Sequence, residues 1–277
     1  MTVSSGQVGP SVGENLRMLL ARESGSVIAV GFDEESAREL VETLASIEDS
    51  PRVRLLVREE VLRWLRDDFV VASTAAELIE TETLELRAAT ERLTNTLLVT
   101  EETVVSLLAL NDGYSAALAT NDEEFVEAAR ERRNDLWKDG EAFDLRTPAR
   151  SRVLDSLAEA FGSEVETGFR AILGAVGSTR DETILDEVGV SLLVAARHEE
   201  LLYEISKWGE DSGVGSKATF SRMKNTLEDH GLIETEKVPI DIGRPRLRLL
   251  VGDERLREAD TEEIPSVVRE LISMAPA

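Results

Sequence analysis

Along the first half of the chain, apolar residues switch between short continuous runs and helical spacing, the pattern of a layer built from strands and helices. The short runs predict strands at 27–32, 53–58, 84–90, 96–99, 104–110 and 114–119. Helical periodicity with start signals predicts helices over 13–22, 34–46 capped by Asp33, 59–69, 75–80, and 122–137 capped by Asn121. Asn111-Asp112-Gly113 signals a hairpin turn, because these residues tolerate positive φ. An antiparallel pair therefore joins the βα units, and the sheet is expected to be mixed.

Arg146-Thr147-Pro148 punctuates the end of this unit, since the residue before a proline is pushed out of the helical region. A helix over 149–160 follows. Ser163-Glu164-Val165-Glu166, with capping-box spacing, opens another that carries Phe169, Ile172 and Leu173 on one face. From 184 the pattern changes. Leu185, Val188, Leu192 and Ala195 or Ala196 make one apolar face, and Val190, Leu193 and Val194 add a second, so this helix is expected to pack both inward and against a partner chain. A second helix holds Leu201, Leu202, Ile205 and Trp208, with Trp208 read as core. The turn Asp211 to Gly215 leads to a third helix over 216–230, with Phe220, Met223 and Leu227 as its buried stripe. The chain then extends over 232–238, turns through 239–243 and returns over 244–251. The fold class is α+β with two domains: a mixed α/β sheet domain over 1–145 for sensing or dimerisation, a helical linker over 146–181, and a winged helix-turn-helix with a C-terminal helix over 182–277. An apolar content of 42% supports a core in each.

The outer face of the third helix carries Ala218, Ser221, Arg222 and Asn225, flanked by Lys217 and Lys224, with Ser216 and Thr219 at its start. No acid occurs between Gly213 and Leu227 in a chain with 55 acids, and facing phosphates and base edges accounts for the gap. In the returning strand Arg244, Arg246 and Arg248 project on one side while Leu247, Leu249 and Val251 point to the core. These arginines, with Lys237 on the opposing strand, are placed to reach phosphates or a narrow minor groove. The net charge of −24 opposes such a partner until it is divided. Residues 1–145 hold 14 basic and 30 acidic groups, whereas 207–248 hold 8 and 7. The acidic surplus lies elsewhere. Its composition, 26 Arg and 5 Lys against 55 acids, suits a salt-rich cytoplasm in which the Debye length shrinks to about 3 Å.

The run from Leu201-Leu202-Tyr203 through Ser206-Lys207-Trp208-Gly209-Glu210-Asp211, Ser216-Lys217-Ala218-Thr219-Phe220-Ser221-Arg222, Gly231-Leu232-Ile233 and Val238-Pro239-Ile240-Asp241-Ile242-Gly243-Arg244-Pro245-Arg246-Leu247-Arg248 resembles the haloarchaeal TbsP-type transcription regulators. The resemblance implies a DNA-binding regulator of sugar-metabolism genes that cooperates with a TrmB-type regulator. The first 145 residues resemble the effector domain of TrmB-type regulators, related to half of a phospholipase D fold. Domain order differs from that of TrmB, whose winged helix comes first, so no sugar-binding residue is carried over.

Catalytic and metal chemistry find no constellation. Gly213 to Thr219 lacks the adjacent Gly-Lys and preceding strand of a nucleotide loop, neither His198 nor His230 has the lysine two residues on that phospholipase chemistry needs, and there is no cysteine. No cofactor is expected. The strand ends at Phe32, Arg58, Thr90 and Thr100, with Arg92 nearby, mark the crevice where an open α/β sheet would hold a phosphorylated or carboxylated effector. The alternative is that this domain only dimerises. With no secretory leader or membrane span, the protein is expected in the cytoplasm, as a homodimer on double-stranded promoter DNA. A second reading is an adaptor that uses the winged helix against another DNA-bound regulator.

Overall fold

The computed structural model describes residues 4–9, 11–23, 25–109, 115–177, 179, 184–239 and 245–274, and groups them into two compact units. One comprises 1–67 and 71–146, the other 68–70 and 147–277. No helix among the described residues is long and apolar enough to cross a membrane.

The first unit is built on an eight-stranded mixed sheet. Its strands are β1 (Ser4–Gly9), β2 (Ser26–Val30), β3 (Arg52–Val57), β4 (Leu84–Ala88), β5 (Leu97–Val99), β6 (Val104–Ala109), β7 (Ser115–Thr120) and β8 (Glu141–Ala142), in the order β1-β7-β6-β5-β2-β3-β4-β8. Among the described residues only β2 with β3 and β3 with β4 pair in parallel, joined by the helical crossovers between them. Alternate strand residues divide the two faces. Val27, Ala29, Val53, Leu55, Leu84, Leu86, Val105 and Leu107 share one core with α1 (Val12–Leu20), α2 (Glu34–Ser46), α3 (Glu59–Arg66) and α4 (Phe69–Glu80). Ile28, Val30 and Leu56 meet Leu136 and Trp137 of α5 (Glu123–Asp139) on the other face.

Four local expectations change. Strands β1 and β8 add to both edges of the sheet. The helix predicted over 59–69 stops at Arg66, and Asp68 starts α4 early, its Oδ1 accepting the Val70 N–H at 3.0 Å. The cap of α5 is Asp122, not Asn121, and its carboxylate accepts the Phe125 N–H at 3.1 Å. The Asn111-Asp112-Gly113 turn lies outside the described residues, between strands that do pair antiparallel.

The second unit packs α6 (Arg150–Phe161), α7 (Ser163–Val176), α8 (Glu187–Arg197), α9 (Leu202–Ser212) and α10 (Lys217–Asp229) with the hairpin β9 (Ile233–Val238) and β10 (Arg246–Val251). Two short helices, α11 (Glu254–Glu258) and α12 (Ile264–Met274), close the core through Leu256, Ile264 and Val268. The stretch read as a linker is part of this core: Val153 and Leu157 of α6 and Val165, Phe169 and Ile172 of α7 join the same buried cluster as the winged helix. Trp208 anchors the joint, its Nε1–H donating to Ser156 Oγ at 3.0 Å and its ring meeting Phe169 edge-on at 6.3 Å. Helix α8 does not wait for a partner chain. Val188 through Ala196 are all buried by α7, α9, α10 and β10 of the same chain, so its second apolar face is core.

Candidate nucleic-acid interface

The helix-turn-helix is set by two glycines and a cap. Gly213 ends α9 in the left-handed region at φ +81°, a conformation that a side chain disfavours. Gly209 lets the two helices meet: a Cβ there would stand 2.1 Å from Phe220 Cε2. Ser216 opens α10, its Oγ accepting the Thr219 N–H at 3.1 Å and lying 2.9 Å from Thr219 Oγ1. The buried stripe is as the pattern predicts, with Phe220 and Leu227 fully buried and Met223 half-buried. Lys217, Ala218, Ser221, Arg222 and Asn225 are therefore exposed together on the opposite face.

The cations are less free than the sequence suggests. Lys217 Nζ lies 2.5 Å from Glu210 Oε2, and that carboxylate lifts the ammonium above its ordinary pKa range. Lys224 turns inward: 2.6 Å from Glu228 Oε2, it is half-buried, and Glu228 Oε1 also accepts from Thr235 Oγ1 of β9 at 2.7 Å. Burial would raise the Glu228 carboxyl, but these two hydrogen bonds outweigh it and hold the pKa below the usual range. Glu228 thus ties the helix to the wing, with Lys224 neutralising it. Among the described residues Arg222 forms no ion pair, and its Nη2 reaches only Thr219 Oγ1 at 3.5 Å.

The wing divides its cations between two faces. In the register of β9 and β10, Lys237 stands opposite Leu247 and Thr235 opposite Leu249, on the side that meets α10 through Glu228. Lys237 is exposed there and forms no ion pair among the described residues. Arg246 and Arg248 alternate to the other side. Arg246 bends back to α9, where it pairs with Glu204 and stacks over the Tyr203 ring at 4.2 Å. Arg248 Nη1 is 3.8 Å from Glu236 Oε2 of the facing strand position. Arg244 lies outside the described residues.

Residues 149–269 match the family described as transcriptional regulator TbsP-like, C-terminal HTH domain, and residues 4–148 match the TbsP-like N-terminal family. The chain belongs to the TbsP-like transcriptional regulators. No curated protein matches it. Among solved structures, TrmBL2, described as an archaeal chromatin protein with a novel mode of DNA binding, is similar at 16% identity over 52% of this chain and 56% of its own, with a TM-score of 0.36. The chain thus spans a little over half the length of TrmBL2. Nuc, a phospholipase D family member from Salmonella typhimurium, is similar at 15% identity over 50% of this chain and 97% of its own, TM-score 0.36. NucT from Helicobacter pylori is similar at 13% identity over 50% and 99%, TM-score 0.32. These likenesses are too distant to carry function.

In this TbsP-like chain the residues read as an effector crevice do not all converge. Phe32, Arg58 and Thr90 follow the parallel strands β2, β3 and β4 and so share one sheet edge. Phe32 is buried in the core and presents nothing to a ligand, whereas Arg58, Thr90 and Arg92 are exposed, with Arg58 3.8 Å from Glu60. Thr100 belongs to the opposite edge, because β5 runs antiparallel to β2 with Val99 beside Ile28. Its buried Oγ1 accepts the Thr103 N–H at 3.0 Å and holds the turn into β6. The sequence reading missed Tyr203, Glu204 and Glu210 as partners of the interface cations. Tyr203, Lys207 and Glu210 recur at spacings of four and three, which marks the outer face of α9.

Proposed function

We propose that this TbsP-like regulator contacts double-stranded promoter DNA directly, with α10 in the major groove and the wing beside it. The observation that carries this reading is the exposed outer face of α10, where Lys217, Ser221, Arg222 and Asn225 stand together and no acid of the helix precedes Glu228 and Asp229 at its C-terminal end, in a chain with 55 acidic residues. Arg222 and Asn225 have the donor geometry to read guanine and adenine edges. Ser216 and Thr219 serve at the helix start, where backbone N–H groups also approach phosphate. Lys237, Arg246 and Arg248, with Arg244 at the wing, are the phosphate contacts.

Because Lys217, Arg246 and Arg248 are held by carboxylates, phosphate must displace Glu210, Glu204 and Glu236 to recruit them. Counterion release then contributes less than the number of cations suggests, and specificity falls to Arg222, Ser221 and Asn225. This suits the salt-rich cytoplasm of a halophilic archaeon, where phosphate contacts are screened. The working form in this reading is a homodimer on two half-sites, acting on sugar-metabolism genes alongside a TrmB-type regulator, with the first unit sensing an effector or partner.

The test is selection of duplexes from a randomised pool by the purified full chain alone. A single recurrent motif, lost when Arg222→Ala is used instead, is the expected result. A pool left unenriched unless a second regulator is added would refute direct contact and establish the adaptor reading.

A further inference from the structure

On the α5 side of the first unit's sheet lies a groove that DNA recognition does not use. Helix α5 covers β2 and β3 with Leu136 and Trp137 and β5 and the start of β6 with Val126, but further along the same face Leu108 and Leu118 are exposed among the described residues. Two cross-strand rows form the floor: Leu97 beside Ser106 beside Leu118, and Val99 beside Val104 beside Thr120. The wall is the side of α5 that bears Phe125, Ala129 and Arg133, and the cavity measures about 580 Å³, within the roughly 300–1,000 Å³ of small-molecule sites. Leu118 is 43% exposed and Phe125 55%, large apolar side chains that a folded chain ordinarily covers.

Arg133 supplies the other half of the chemistry. It is half-buried at the groove, its buried Nε has no hydrogen-bond partner among the described residues, and no described carboxylate pairs with it. In a chain with 55 acids to 31 Lys and Arg, a cation partly withdrawn from water without an acid beside it among the described residues is an unfilled requirement. Its neighbour Arg132 is already engaged, 3.0 Å from Glu91. Burial, with the Arg132 charge behind it, holds the Arg133 guanidinium below its ordinary pKa, a penalty that an arriving anion relieves.

We propose that this groove binds one small amphipathic anion, a carboxylate or phosphate head against Arg133 with an apolar body along Leu97, Leu118 and Phe125. The groove's lining includes none of Arg58, Thr90 and Arg92, and the proposal stands whether or not α10 reads DNA. Calorimetric titration of the full chain with octanoate and with octyl phosphate, and with octanol as the uncharged counterpart, tests it. At least one of the two anions is expected to bind one per chain. Its affinity should fall tenfold or more in both Arg133→Gln and Leu118→Glu, with octanol at least tenfold weaker than the anion. Thermal melts of both variants that match the parent exclude misfolding as the cause. Absence of binding by both anions, binding indifferent to Arg133→Gln, or octanol binding as tightly overturns it. So does a dimer in sedimentation that Leu118→Glu dissociates while neither anion binds, since a second copy would then be the occupant.

Discussion

Arg246 and Glu204 show at the scale of single residues how this chain handles cations on an acidic protein. The pair lies across a half-exposed surface, where an ion pair stabilises by about 0–1 kcal/mol, so its larger effect is on what Arg246 is free to do. Glu204→Gln removes the competitor of phosphate. It is expected to tighten binding to a selected duplex about threefold to tenfold, read by fluorescence anisotropy at fixed salt; unchanged or weaker binding would show that Glu204 orients Arg246 for contact instead. Elsewhere in the same unit, burial, the Asp186 carboxylate and the Asp68 carboxylate push Glu187 up to about 7. A carboxyl whose folded pKa is raised contributes stability below its unfolded value near 4.5, and loses it as pH rises through about 7. Glu187→Gln should therefore be about as stable as the parent at pH 4.5 and progressively more stable from there to pH 8, by about 1–3 kcal/mol. A pH-independent difference in melting would remove this account.

Among the elements, the α9–α10 crossing depends on one missing side chain. Ala at 209 would recover about 1 kcal/mol of helix propensity, but its Cβ would meet the Phe220 ring at 2.1 Å, and overpacking costs about 1–3 kcal/mol. Gly209→Ala is expected to lower the unfolding free energy by up to about 2 kcal/mol in a urea titration, whereas Gly174→Ala, with no atom within 4 Å, should be neutral or stabilising. Equal effects at the two positions would contradict this packing. The periodicities that predicted α9, α10 and the wing were legible because each has one buried face and one wet one. Those of α8 misled, because a helix buried all round carries no record of which neighbour covers it, the partner's or its own chain's α7 and β10. Asn121 and Asp122 are adjacent cap formers, so the sequence leaves the start of α5 ambiguous by one residue. Lys224 lies on the flank of the acid-free run, and only the fold, which brings Thr235 of β9 to Glu228, shows that its partner carboxylate is fixed to the wing. Thr100 could not be placed because strand direction, which decides its sheet edge, is a property of the assembled sheet rather than of the run that contains it.

For the whole molecule, the charge is divided unevenly along the chain. Residues 1–145 carry a net −16, a charge that a duplex repels, while 207–248 carry a net +1. That near-neutrality is distributed as ion pairs, with Arg222 and Lys237 the cations of the described interface that have no carboxylate. The central claim is that the outer face of α10 reads base edges rather than merely meeting phosphate. Competition binding of the full chain to a selected duplex and to a set with each base pair changed in turn, repeated for Arg222→Ala, measures this directly. The account predicts that the substitution costs about 1–3 kcal/mol on the selected duplex and erases the preference at one base pair while leaving the others intact. A uniform loss across all duplexes, with every preference retained, would contradict it.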